Sequence, residues 1–249
     1  MIGNTYLRVK EVIFLLRHID HKKMGRGSHG WLDSHFHFSF AEYRNPDNIK
    51  FGILRVLNDD IVQPQMGFSA HSHSDMEIIS YVVEGTLAHK DSMGNESTIT
   101  RGQAQYMSAG TGIIHSEHNG GEDELRFMQM WIIPDKKGYP PNYGDQKFAW
   151  EERIDKWLPI ATSYKNSKNN APIKIHADAN IYAAYLSAEN TIDFQLSSDR
   201  QAYLTLLEGD AKVEDIKMAE RDALEIIGQS VTITTNQGAH LYIADMPQG

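Results

Sequence analysis

HSHSDMEIISYVVEG, residues 71–85, places two histidines one residue apart, then an acid, then a run of strand-forming residues. Side chains i and i+2 of a strand share a face. An extended 71–73 therefore projects His71 and His73 together. Some forty residues on, GTGIIHSEHN (110–119) repeats the spacing with His115 and Glu117. If the two segments pair, three imidazoles and a carboxylate stand opposite one another, a common set for one divalent transition metal. A metal taking five or six ligands would keep positions open for water, dioxygen or substrate. A chance H-x-H is not rare in a chain with twelve histidines. HFH at 35–37 has no acid or further histidine nearby and reads as a half-exposed strand face.

Outward from this stretch, short β-rich runs recur between Gly, Asn, Asp and Pro: 51–59, 77–91, 125–134, 202–215, 223–234 and 239–246. Short strands at this spacing indicate an all-β sandwich or barrel. Gly94-Asn95 within DSMGNES (91–97) and EGD (208–210) read as turns between strands. VVEGTLAHKD (82–91) is echoed by LLEGDAKVED (206–215), as if one barrel unit were used twice. Residues 134–148, rich in Pro, Gly, Lys and Tyr, read as a connector; 150–172 is ambiguous, its first part compatible with a short helix and its KNSKNN part a polar loop. The division between units is expected within 135–150, giving 1–140 and 141–249.

The 249 residues suffice for two such units. The chain has no cysteine, which excludes disulfides, thiolate metal sites and cysteine nucleophiles. Any metal must be held by His, Asp or Glu. A net charge of −9 gives no general attraction for phosphate backbones, so direct nucleic-acid binding is not expected. No apolar run is long enough to cross a membrane as a helix. The apolar patch Val12 to Leu16 is flanked by charge and lacks a signal-peptide cleavage site. The expected location is the cytoplasm.

HSH(x3)E at 71–77 and G(x9)G(x2)H(x3)N at 102–119 resemble the two motifs of the cupin barrel. The stretches WLDSHFHFSFAEY (31–43), LRVLNDD (54–60), DMEIISYVVEG (75–85), HKDSMGN (89–95), YMSAGTGIIHSEHN (106–119) and WIIPDKKGYPPNYGDQKF (131–148) resemble the pirin family more closely, over 5–150 and more faintly beyond. The resemblance implies a bicupin: two antiparallel β-barrels (double-stranded β-helix) packed together, with a metal in the N-terminal one. It implies His71, His73, His115 and Glu117 as ligands and Fe2+ as the metal, while the donor set also suits Mn, Co, Ni or Cu. The general cupin pattern takes its acid from Glu77 instead. That residue, counted two pleats beyond His73, is expected to face inward as a rival ligand or as a group orienting a ligand imidazole. Ser72 and Ser74 stand where the family commonly has Pro and a base, which leaves substrate choice open.

The resemblance further implies a quercetin 2,3-dioxygenase activity: a flavonol-like substrate, dioxygen, release of carbon monoxide, and Glu117 or Glu77 as proton acceptor. It also implies an alternative, a redox-sensitive metal protein that binds a transcription regulator or metabolic enzyme. In the C-terminal unit His176 and His240 are isolated. That unit is expected to be metal-free, packing against the first and covering its mouth.

Overall fold

The computed structural model describes residues 15–166 and 169–248. Two units of the same plan are present. In the first, a seven-stranded sheet runs 142–146, 104–108, 77–84, 125–132, 54–62, 32–36, 25–28 in spatial order, and faces a four-stranded sheet of 67–73, 113–119, 86–91 and 96–100. In the second, a seven-stranded sheet runs 15–19, 223–227, 200–209, 239–247, 180–186, 158–163, 173–175, facing 191–194, 231–234, 211–213 and 216–218. All named pairings are antiparallel except that of Leu158–Ser163 with Ile173–Ile175. No helix among the described residues is long and apolar enough to cross a membrane.

The Glu-Gly echo has a structural cause. Gly85 and Gly209 each end a long strand of the large sheet, and the chain then enters the small sheet. Both take positive φ, 83° and 87°. A Cβ there would lie 2.6 Å from the Glu124 carbonyl oxygen in one case and 2.0 Å from that of Gly238 in the other. Only glycine serves at such a corner. EGD is thus a change of sheet and not a hairpin turn. Gly94 (φ 91°) does close a hairpin, between Thr86–Asp91 and Glu96–Thr100.

The two large sheets pack back to back. The largest apolar cluster joins Ile79, Tyr81, Met128 and Met130 of the first to Ile160, Ile173, Tyr203 and Tyr242 of the second. This explains His35 and His37, which are buried and not half exposed. Their sheet is covered on both faces, and they lie on the side toward the second unit. His37 Nδ1 is 3.0 Å from the Tyr203 hydroxyl. The interior of the second unit is filled by aliphatic side chains such as Leu204, Leu206, Leu224, Ile233 and Leu241.

Two strands sit apart from the expected order. Asn142–Gln146, within the supposed connector, pairs with Ala104–Ser108 of the first unit. Leu15–Ile19, from the other end of the chain, forms the edge of the second unit's sheet on Ala223–Ile227. Arg17 Nε donates to Glu225 Oε2 at 2.7 Å across that edge. Most of the apolar patch 12–16 lies outside the described residues, but Leu15 and Leu16 belong to this strand. Trp150–Arg153 is a single 3-10 turn.

Candidate metal centre

His71 and His73 leave the same face of Gly67–His73, with ring centroids 4.8 Å apart. Ile113–Asn119 pairs directly alongside, with His115 opposite His71 and Ile113 opposite His73. The Nε2 atoms of His115 and His71 are 3.1 Å apart. The ring of His115 lies 4.9 Å from that of His73. Burial, aided by the neighbouring imidazoles, pushes His73 down to about 4 and His115 to about 3. Both are therefore neutral near pH 7, the form that ligates metals. Three imidazole nitrogens, those of His71, His73 and His115, lie within coordination reach of a common point and fit one divalent transition metal.

A bulge lies between His115 and Glu117, so Glu117 sits opposite Phe68 on one side and His89 on the other. Its carboxylate groups with His89 and His115. Three side chains of the facing sheet donate to it: Ser80 Oγ at 3.1 Å and Gln105 Nε2 at 2.6 Å to Oε1, and Gln129 Nε2 at 2.7 Å to Oε2. The amides are themselves oriented, since Gln105 Oε1 accepts from the Tyr143 hydroxyl and Gln129 Oε1 from the Trp131 indole. Burial pushes the Glu117 carboxyl up to about 7 against these three hydrogen bonds.

Glu77 is elsewhere. Ser74–Met76 is a turn with Asp75 in the left-handed region (φ 50°), and it breaks the alternation counted from His73. Beyond it Ile78, Ser80 and Val82 face the barrel interior, while Glu77, Ile79 and Tyr81 face the second unit. Glu77 accepts from Ser108 Oγ at 2.6 Å and from the His176 backbone at 3.2 Å. It joins no histidine cluster among the described residues. His176 stacks on Tyr139 and Tyr164, and His240 is buried between the Tyr81 hydroxyl and Glu208.

Sequence reasoning missed His89 and Asp91. They lie on Thr86–Asp91 at the same i, i+2 spacing and face inward beside Glu117 and His115. His89 Nδ1 is 3.5 Å from His115 Nδ1, and its Nε2 is 3.3 Å from Asp91 Oδ2. Tyr143 stacks on the His89 ring at 4.0 Å. The signal was present as His-Lys-Asp within a strand.

The centre opens onto a cavity of about 430 Å³ lined by His71, His73 and Glu117 and walled by Trp31, Phe36, Phe40, Phe68 and Trp131. This is within the range of small-molecule sites. Trp131 meets His73 edge-on at 4.8 Å. Asp60 also lines the cavity. Burial, opposed by the Ser34 hydroxyl and aided by the charges of Asp59 and Glu117, pushes it up to about 7. Every lining residue comes from the first unit, so the second unit does not cover this mouth as expected; it packs on the back of the large sheet.

Two family models match the chain: Pirin over residues 18–132 and a quercetinase C-terminal cupin domain over 163–246. The pirin-like protein of Caulobacter vibrioides is 39% identical over 224 residues, 90% of this chain and 96% of the relative. The quercetin 2,3-dioxygenase of Escherichia coli K12 is 36% identical over 225 residues, 90% of this chain and 95% of the relative. The crystal structure of the bacterial pirin YhhW from Escherichia coli in complex with nickel(II) superposes with a TM-score of 0.87 at 32% identity, covering 94% of this chain and all of that one.

Proposed function

Because the chain belongs to the pirin family, we propose that it is a metal-dependent dioxygenase that opens quercetin-like flavonols with dioxygen and releases carbon monoxide. One observation carries the reading: three imidazoles converge on an aromatic-walled cavity of small-molecule size. His71, His73 and His115 would hold the metal, with Glu117 completing the set. Fe2+ is the metal the family resemblance implies, and nickel(II) is the one in the Escherichia coli relative. Bound there, the metal would act as a Lewis acid toward the substrate's chelating oxygens and provide for reaction with dioxygen.

The side chains have separable tasks. Glu117 Oε2, which among the described residues accepts only from Gln129, would take the proton of the flavonol's chelating hydroxyl. Gln105 and Gln129 fix that carboxylate, and Tyr143 and Trp131 fix the amides in turn. The aromatic walls exclude water and match a flat ligand. Both oxygen atoms of dioxygen enter the products and one carbon leaves as carbon monoxide, so no outside reductant is required.

The test is direct. Protein loaded in turn with Fe2+, Ni2+, Co2+, Mn2+ and Cu2+ is given quercetin and dioxygen, and both consumption and carbon monoxide are followed. Turnover above that of free metal, lost in His71→Ala, is the expected result. No turnover with any of these metals would refute the assignment.

A further inference from the structure

Polar side chains line the cavity on the strand Leu54–Val62, which carries none of the histidines of the centre. Asn58 and Asp60 share one face of that strand at i, i+2, about 6.7 Å apart along it. Ser34 is the register partner of Asp60, and Phe36 and Gln129 are those of Asn58. All of Ser34, Asn58 and Asp60 are 3% exposed or less and line the cavity.

This row is not internally satisfied. The side-chain oxygen of Asn58 is buried without a hydrogen-bond partner. Among the described residues Asp60 takes a single hydrogen bond, from Ser34 Oγ at 2.5 Å, on Oδ1. A buried, unpaired amide is costly and uncommon unless a ligand or water completes it. Neighbouring acids behave differently: Asp59, on the opposite face, is fully engaged by Arg126 at 2.8 and 2.9 Å.

An aromatic wall runs from the histidines to this row. Trp131 touches His73, Phe40 meets Trp131 with centroids at 5.4 Å, and Phe36 meets Phe40 at 5.7 Å. Phe36 then stands beside Asn58 in the sheet. The cavity thus presents acceptor oxygens on Leu54–Val62, beside the Gln129–Glu117 pair, with π surface running from there to His73. We propose that Ser34, Asn58 and Asp60 form a hydroxyl-recognition ledge, which selects flat aromatic substrates bearing a ring hydroxyl besides the metal-chelating oxygens. A phenolic hydroxyl both donates and accepts, so it can donate a hydrogen bond to Asn58 Oδ1 or to the free oxygen of Asp60. The ledge rests on the flavonol reading and specifies which flavonols fit.

The experiment is a binding titration of the full-length, metal-loaded protein under nitrogen, where no turnover occurs. Quercetin is compared with 3-hydroxyflavone, which keeps the chelating pair and lacks the other ring hydroxyls. The native protein should prefer quercetin by about 10-fold or more, and Asn58→Leu or Asp60→Leu should each reduce that ratio by about 10-fold. Metal content and circular dichroism report folding. Should either leucine variant fail to fold, Asp60→Asn and Ser34→Ala take its place and should narrow the ratio in the same direction. Equal affinities in the native protein, or a ratio unmoved in folded variants, would overturn the ledge and leave the flavonol reading standing. Binding of neither compound would overturn both.

Discussion

His115 carries two neighbours on its far side, and their arrangement assigns each nitrogen a task. With Nε2 turned toward His71, its Nδ1 faces His89, which is backed by Asp91. A carboxylate behind an imidazole fixes ring orientation and raises ligand basicity. His89→Ala should therefore weaken metal affinity by roughly 10–100-fold, read by competition with a chromophoric chelator, while the fold persists. Unchanged affinity would reduce His89 to a packing partner of Tyr143. Glu77 provides the contrast. Glu77→Gln should leave metal content unaltered and lower unfolding stability by about 1–2 kcal/mol, because its amide N–H2 would face one of the two donors, Ser108 Oγ or the His176 backbone N–H. Loss of metal in that variant would reinstate it at the centre. The convergence of His71, His73 and His115 was legible from strand period alone, since one pairing suffices to bring them together. Glu77 was misplaced because parity was counted through the turn at Asp75, which no periodicity reveals. Asn58 and Asp60 were hidden for another reason: in NDD, adjacent side chains go to opposite faces, and sequence does not say which face is a cavity and which an ion pair.

At the scale of the element, Leu32–Phe36 and the residues just beyond show what a doubly covered sheet demands. Ser34 and Phe36 face the cavity, while His35, His37 and Phe38 face the second unit. The His-Phe-His alternation resembles a half-exposed strand because histidine is read as polar; packing of a second sheet makes both faces interior. Burial pushes His37 from 6.5 down to about 4. In the unfolded chain it takes a proton below about 6.5, and in the folded protein only below about 4. Its contribution is thus intact above pH 6.5 and is lost as pH falls from 6.5 toward 4, by roughly 3 kcal/mol at the limit. His35, also lowered by burial, acts with the same sign. Urea unfolding across this window should show stability falling with acid, and His37→Gln should flatten the fall. A slope identical in the variant would show that His37 is not the titrating group.

For the whole molecule, the repeated plan of large and small sheets was legible in the spacing of strands and in the Glu-Gly echo. The crossing of Leu15–Ile19 to the far unit was not, because LLRHI carries no mark of its partner and pairs with residues at the other end of the sequence. Replacing Leu15–Ile19 by Gly-Ser repeats would bare the edge of Ala223–Ile227, and an uncovered edge invites pairing with other chains. The expected result is a melting temperature lower by about 4–8 °C and self-association in size-exclusion chromatography, with metal binding retained. A monomer of unaltered melting temperature would mean that this strand only decorates the edge. The same crossing bears on how the protein is made. Arg17 and Glu225 are 208 positions apart, so at roughly 5–20 residues per second a ribosome delivers the partner strand on the order of ten seconds or more after the first. The first of the described strands waits through the synthesis of an entire barrel and is among the last to be sealed. During that interval its edge stays unpaired, the condition in which strands associate with other chains.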